Sequence, residues 1–189
     1  MKKLVLAASL VVLTACSAPQ KEQISVTPKA SLSTSNLVEN KTYTLSSKDV
    51  RAAQYVALVD SGRSNIEPIH AQQNMRITLE NAIAQQFESQ GYRASVNSEN
   101  SVVLEIQEAL VTVKHTIMEN QMDGKVTLEV TAETPQGKLV KTFKGTAVRT
   151  GTLSASNEDI SVVLNDVINL VLADISNDQE LQNYMKERF

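Results

Sequence analysis

A chain of 189 residues with 42% apolar and 21% charged side chains fits one globular domain. Its formal charge of −3 gives no long-range attraction to nucleic acid or anionic lipid, and 4% aromatic residues with no Trp leave few stacking platforms for bases or sugar rings. One cysteine excludes an internal disulfide.

Met1, Lys2 and Lys3 form a positive start, residues 4–13 (LVLAASLVVL) an apolar run, and the small residues Thr14 and Ala15 precede Cys16. That is the order of a secretory signal. Ten apolar residues in a helix cover about 15 Å, half of what a bilayer core requires. Residues 13–16 (LTAC) resemble the lipobox of bacterial lipoproteins. The resemblance implies cleavage between Ala15 and Cys16, a diacylglycerol on the Cys16 thiol and an acyl group on its new amine. Two or more acyl chains hold a protein stably, where one does so only marginally. In such lipoproteins an Asp after the cysteine favours the inner membrane; Ser17 implies the outer one. The expected organisation is a signal peptide over 1–15, a lipidated N-terminus and tether over 16–40, and one α+β periplasmic domain over 41–189. Without residues 1–15, 16 basic side chains face 21 acidic ones. The remaining chain can bury roughly 70% of its unfolded surface.

Residues 17–40 are rich in Ser, Thr, Asn, Gln and Pro, as a tether is. These 24 residues reach about 80 Å fully extended and about 27 Å as a loose coil. The piece 24–28 (ISVTP) can instead lie as an edge strand on the domain. Residues 42–46 alternate as a strand, 55–59 form a second, and 65–69 a short extended piece ended by Pro68 and its neighbours. Residues 73–90 read as a helix, with Met75, Leu79, Ala82, Ile83 and Phe87 on one stripe and Gly91 as its stop. A strand follows over 92–96.

Residues 101–113 form a strand whose parity slips near Glu108 and Ala109, the mark of a bulge. The alternation from Met118 to Ala132 reads as its antiparallel partner with one solvated face. The hairpin is expected near Lys114 and His115, with Asp123-Gly124 as the competing turn. Pro135-Gln136-Gly137 is a turn, and residues 139–150 return. Ser156 and Asp159 stand at capping-box spacing before a helix with the stripe Ile160, Val163, Leu164, Val167, Ile168, Val171 and Ile175. Asn177 and Glu180 suggest a fresh cap for a short helix over 178–188 that buries Leu181 and Met185. The expected fold is α+β: a mainly antiparallel sheet with two principal helices packed on one face, plus a short C-terminal helix.

The pieces NMRITLENAIAQQFESQGY (74–92) and NEDISVVLNDVINLVLADISNDQELQNYMKE (157–187) are similar to the YajG family of bacterial lipoproteins. So are the lipobox, the I-x-V-x-P piece at 24–28, and Asp49-Val50-Arg51 after the first strand. The resemblance covers nearly the whole mature chain. It implies an outer-membrane lipoprotein facing the periplasm and carries no reaction with it. The chain departs from the family near residues 114–118, where its hairpin is shorter.

Chemistry is sparse. His70 and His115 fall in different elements without the spaced partners of a zinc site, so no metal and no cofactor beyond the Cys16 lipid is expected. No G-x-S-x-G elbow or glycine-rich phosphate loop is present, and no catalytic residue is assigned. Asp49 and Arg51 alternate on one side of an extended segment, where they can satisfy each other or meet a ligand or partner. Arg76 is a lone cation in a first helical turn, which the helix dipole disfavours; Asp49 is a candidate partner for it. Asp159, Asp166, Asp174 and Asp178 read as a solvated helix face. Met75, Met118, Met122 and Met185 read as core, with an adaptable groove as the alternative. The expectation is a non-enzymatic envelope lipoprotein that binds a protein, cell-wall material or lipid, and no nucleic acid. An auxiliary subunit of an envelope transport or assembly machine, or a small hydrolase using paired carboxylates, stand as alternatives.

Overall fold

The computed structural model describes residues 22–62 and 65–189. The signal segment, Cys16 and residues 17–21 lie outside the described residues. Three long strands dominate: β6 (Ser101–His115), β7 (Glu119–Thr134) and β8 (Gly137–Thr152), joined as an antiparallel meander. At 3.3 Å per residue they extend about 50 Å. Buried residues alternate along them, with Met122, Val126, Leu128, Val130 and Ala132 facing inward on β7. On β6 the inward set is Val102, Leu104 and Ile106, then Ala109, Val111 and Val113. The change of parity is a bulge: pairing with β7 shifts register between Ile106 and Glu108.

The other edge of β6 is shared by two shorter strands laid end to end. β2 (Lys41–Asp49) runs parallel to it from the Thr44–Ser101 pair to the Asp49–Ile106 pair. β3 (Tyr55–Asp60) runs parallel from Ala57–Val111 to Asp60–Lys114. β4 (Ile66–Ala71) pairs antiparallel with β3, β1 (Gln23–Ile24) parallel with β4, and β5 (Tyr92–Ala94) parallel with β2. The α+β class is as expected, but the sheet is mixed where a mainly antiparallel one was expected. The reason is that hairpins announce themselves through local turns, whereas every parallel pair here joins segments remote in sequence.

Three helices cover one face: α1 (Met75–Ser89) over β2 and β5, α2 (Asn157–Asn177) over β6, β7 and β8, and α3 (Gln179–Arg188) over β7 and β8. The Asn74 side chain caps α1 by accepting from Ile77 N–H, and Ser156 and Asp159 close the expected capping box on α2. Asp178, one residue past the expected Asn177, caps α3 by accepting from Leu181 N–H at 2.8 Å. The apolar stripe of α2 is buried from Ile160 to Ile175. Gly124 and Gly145 make room for it. A Cβ on Gly124 would meet Val163 at 2.9 Å, and one on Gly145 would meet Val171 at 2.7 Å.

The expected hairpin at Lys114 and His115 turns slightly later, over residues 116–118, and Gly124 lies inside β7 opposite Val111. The Asp-Gly pair therefore serves helix packing and not a turn. Pro68 lies within β4, opposite Leu58, instead of ending it. The outer edge of β4 is paired only at His70 and Ala71, so a residue lacking N–H is tolerated there.

Residues 22–40 lie on the domain. Ile24 and Val26 are fully buried and Val38 nearly so. Thr27 N–H donates to Asn165 Oδ1 at 2.8 Å and Lys29 N–H to Asn169 Oδ1 at 2.7 Å. Ser161 Oγ donates to Ser25 O and Ser176 Oγ to Ser31 O. The strap thus runs the length of α2 over small polar residues, with Ser161, Asn165 and Asn169 one turn apart and Ser176 two turns further on. It ends where Leu37 and Val38 N–H groups donate to Gln90 O, at the C-terminus of α1.

Candidate functional site

Between the end of β2 and the start of β3 the edge of β6 is left without a strand partner, opposite its bulge. Arg51 fills this break. Its Nε and Nη2 each donate to the Asp49 carboxylate at 2.8 Å, and its Nη1 donates to Tyr55 O at 3.3 Å and Ala109 O at 3.2 Å. The planar guanidinium therefore replaces the missing ladder bonds of two carbonyls while a bidentate carboxylate balances its charge. The Arg51 side chain is 6% exposed and that of Asp49 13%. Hydrogen bonding from Arg51 holds the Asp49 carboxyl below its usual range, against the opposing effect of burial.

A cleft of ≈ 340 Å³ opens beside this pair, lined by Asp49, Arg51, Gln54, His70, Gln73 and Arg76 among others. The three residues singled out from the sequence, Asp49, Arg51 and Arg76, thus share one cleft. The suggested Asp49–Arg76 pair does not form, because Arg51 occupies both Asp49 oxygens. Arg76 turns to its own helix, with Nη1 3.1 Å from Ser47 Oγ and 3.4 Å from Glu80 Oε2. Ser47 Oγ also donates to Glu80. An i,i+4 acid on the helix is a closer partner for Arg76 than one on the strand.

Most other polar groups of the cleft have structural partners. Gln73 Oε1 accepts from Val26 N–H at 2.8 Å, which ties the strap to the start of α1, and Asn74 is the α1 cap. His70 is exposed on β4. Gln54, His70 and Gln73 carry no sequence pattern that marks them as neighbours; the β3–β4 pairing and the placement of α1 bring them together. Asp49 is the carboxylate lining this cleft, and both of its oxygens accept from Arg51.

His115 lies far from His70, at the end of β6, where its Nε2 accepts from Ala155 N–H at 3.1 Å. Among the described residues no group of three or more His, Cys, Asp or Glu side chains could hold a metal ion. Met75, Met122 and Met185 are buried in the core, whereas Met118 is exposed, so the four line no common groove. Of the four helix aspartates, Asp166 and Asp174 face solvent, Asp159 belongs to the α2 cap, and Asp178 accepts from Lys141 Nζ at 2.7 Å.

The fold and cleft define an α+β domain with helices over one sheet face and charged cleft groups held largely by their own neighbours. The family model described as "Uncharacterized lipoprotein" matches residues 28–186, and the chain belongs to this family, that of the YajG lipoproteins. It is 22% identical over 147 residues to the uncharacterized lipoprotein YajG of Escherichia coli K12, across 77% of this chain and 76% of that one. The YajG of Escherichia coli O6:H1 matches with the same identity and coverage. The crystal structure of protein XCC0632 from Xanthomonas campestris superposes with a TM-score of 0.56 at 13% identity, covering 87% of this chain and 95% of that one, and so shares the fold. Among the described residues no helix is long and apolar enough to cross a membrane.

Proposed function

We propose that this lipoprotein is anchored in the outer membrane through Cys16, faces the periplasm, and acts as a non-enzymatic adaptor that holds another envelope protein. The observation that carries this reading is the free edge of β8. Among the described residues its 16 positions pair only with β7. Such an edge offers a row of unpaired N–H and C=O groups to which an extended segment of a partner can add as a further strand. Lys138, Lys144 and Arg149 along the strand, and the inward Lys141 held by Asp178 and Glu180, work against pairing with a second copy, since β8 contains no acid. The same edge suits the narrower role of an auxiliary subunit in an envelope transport or assembly machine. A hydrolase working through paired carboxylates has less support, because Asp49 is the one carboxylate of the polar cleft and is bonded on both oxygens.

The test is site-specific photocrosslinking in intact cells from Val140 and Val148 on β8, with Ile77 on α1 as the control; all three are exposed. A discrete product from the β8 positions and none from Ile77 is expected. Cells that yield no specific product from either β8 position would sink the adaptor reading.

A further inference from the structure

Several elements share one end of the domain. β3 ends there at Asp60, which pairs with both Ile66 and Lys114, so β4 begins there and β6 ends there. β7 starts there and β8 finishes there, since Glu119 pairs with Thr152, and α2 begins a few residues later. Large apolar side chains are exposed at this end: Ile117 is 98% exposed, Met118 80% and Leu153 73%, and Ile66, at the start of β4, 61%.

These side chains are held out by built structure. The turn over residues 116–118 is closed by Thr116, whose N–H and Oγ both donate to Glu119 O at 2.8 and 2.9 Å. Leu153 has a φ of +62°, a conformation that residues other than glycine rarely adopt. It is fixed on both sides: its N–H donates to Met118 O at 3.3 Å, and its carbonyl accepts from Asn120 Nδ2 at 2.9 Å. The fold holds the Leu153 backbone in this conformation while leaving its side chain 73% exposed, so the apolar group is presented outward.

The chain's route to its anchor identifies what lies outside. Asn157 Nδ2 donates to Glu22 at 3.1 Å, so the strap leaves the domain at the start of α2, four residues after Leu153. Only six peptide steps separate Glu22 from Cys16, a span of at most about 22 Å. Because residues 22–40 are docked, the long reach of the expected tether is unavailable. An acylated Cys16 therefore keeps this end of the domain near the bilayer while the strands of β6 to β8 extend away from it. We infer that Ile117, Met118 and Leu153 form a second membrane contact, inserting their side chains into the phospholipid interface beside the lipid anchor. This rests on the reading of Cys16 as the anchor. Among the described residues Glu22, Asp60, Glu119, Glu158 and Asp159 around the end outnumber Lys114 and Arg149, so the contact is apolar insertion and persists at high salt.

Acylation blocks the one native thiol, so introduced cysteines can be labelled selectively. The lipidated full chain carrying I117C, M118C or L153C is labelled with an environment-sensitive fluorophore and reconstituted into vesicles of phosphatidylethanolamine and phosphatidylglycerol. V96C, exposed on the loop after β5, is the control. The three end positions should blue-shift and lose emission when quencher-bearing lipids are included, in low and high salt alike, and position 96 should do neither. Protein that floats with the vesicles while all three end positions report water overturns this inference and leaves the anchor reading standing. Protein that is not acylated at Cys16 and does not float overturns both.

Discussion

Arg51 holds together a place where two strands fail to meet, and its replacement tests that role. Arg51→Ala would leave the nearly buried Asp49 carboxylate unpaired and strip a donor from Tyr55 O and Ala109 O. The expected loss is about 3 kcal/mol, read as a lowered urea midpoint. Acid should act on the same bond. The folded-state pKa of Asp49 is lowered chiefly by hydrogen bonding from Arg51, so its stabilisation is complete above the ordinary carboxylate value of about 4 and is lost as pH falls through the lowered value. Asp178 adds to this limb: burial pulls its carboxyl up, but Lys141 and the Leu181 N–H bring it down overall. The gap in stability between the parent chain and Asp49→Asn should therefore narrow as melts are taken below about pH 4. A gap that stays constant through that window would mean that Asp49 contributes by shape alone. The sequence placed Asp49 and Arg51 on one side of an extended segment. It could not show the break in the β6 edge that makes their pairing structural, because that break depends on where two remote strands align. Tyr92 is similar: burial pushes its phenol up to about 12, and its neighbours Tyr43, Phe87 and Phe189 come from three other parts of the chain.

Among the elements, α2 is specified most fully by its own residues. Its cap, its apolar stripe and its length are local properties, and they survive unchanged in the fold. Its seat on the sheet depends on other segments. Gly145→Ala would push a methyl group against Val171 and Val167, with the Val167 carbonyl also within 3.3 Å. Overpacking at such a site should cost about 1–3 kcal/mol, measured by chemical denaturation. The flank of α2 that carries Ser161, Asn165 and Asn169 receives the strap. Losing the Asn165 and Asn169 amides in a double alanine variant should raise amide hydrogen exchange at Thr27 and Lys29, while exchange in β7 stays at the parent rate. If β7 exchanges faster as well, the strap belongs to the core's cooperative unit. The composition of residues 17–40 suggested a tether because Ser, Thr and Asn favour solvated chain; residues 22–40 of it are docked. On α2 the same residue types, spaced one turn apart, supply the hydrogen bonds that a docked backbone needs.

With Cys16 as the proposed anchor, the docked strap leaves the whole molecule little slack. Cys16→Ser should abolish acyl labelling and membrane fractionation while the melting temperature stays at the parent value, because among the described residues the buried core begins at Ile24. A variant that still labels would refute lipidation at Cys16. A variant that melts much lower would show that the segment before Glu22 helps to hold the fold. At this scale the free β8 edge and the apolar end of the sheet point in different directions. One offers strand pairing along the body of the domain, and the other offers insertion at its base, so a partner and a membrane can be engaged together.

By itself the sequence determined the helices, the long hairpin strands, the bulge in β6 and the likeness to a lipoprotein family. Each of these is written in neighbouring residues through periodicity, capping and turn chemistry. The tertiary structure decided the parallel pairings of β1, β2, β3 and β5, the docking of the strap, and the gathering of Asp49, Arg51 and Arg76 in one cleft. It also brought the exposed Ile117, Met118 and Leu153 to the end of the domain where Glu22 meets the start of α2. The physical reason is common to all of these. Parallel strands and docked straps join segments far apart in the chain, and their partners are selected by burial and backbone hydrogen bonding across the folded body, which no local pattern records.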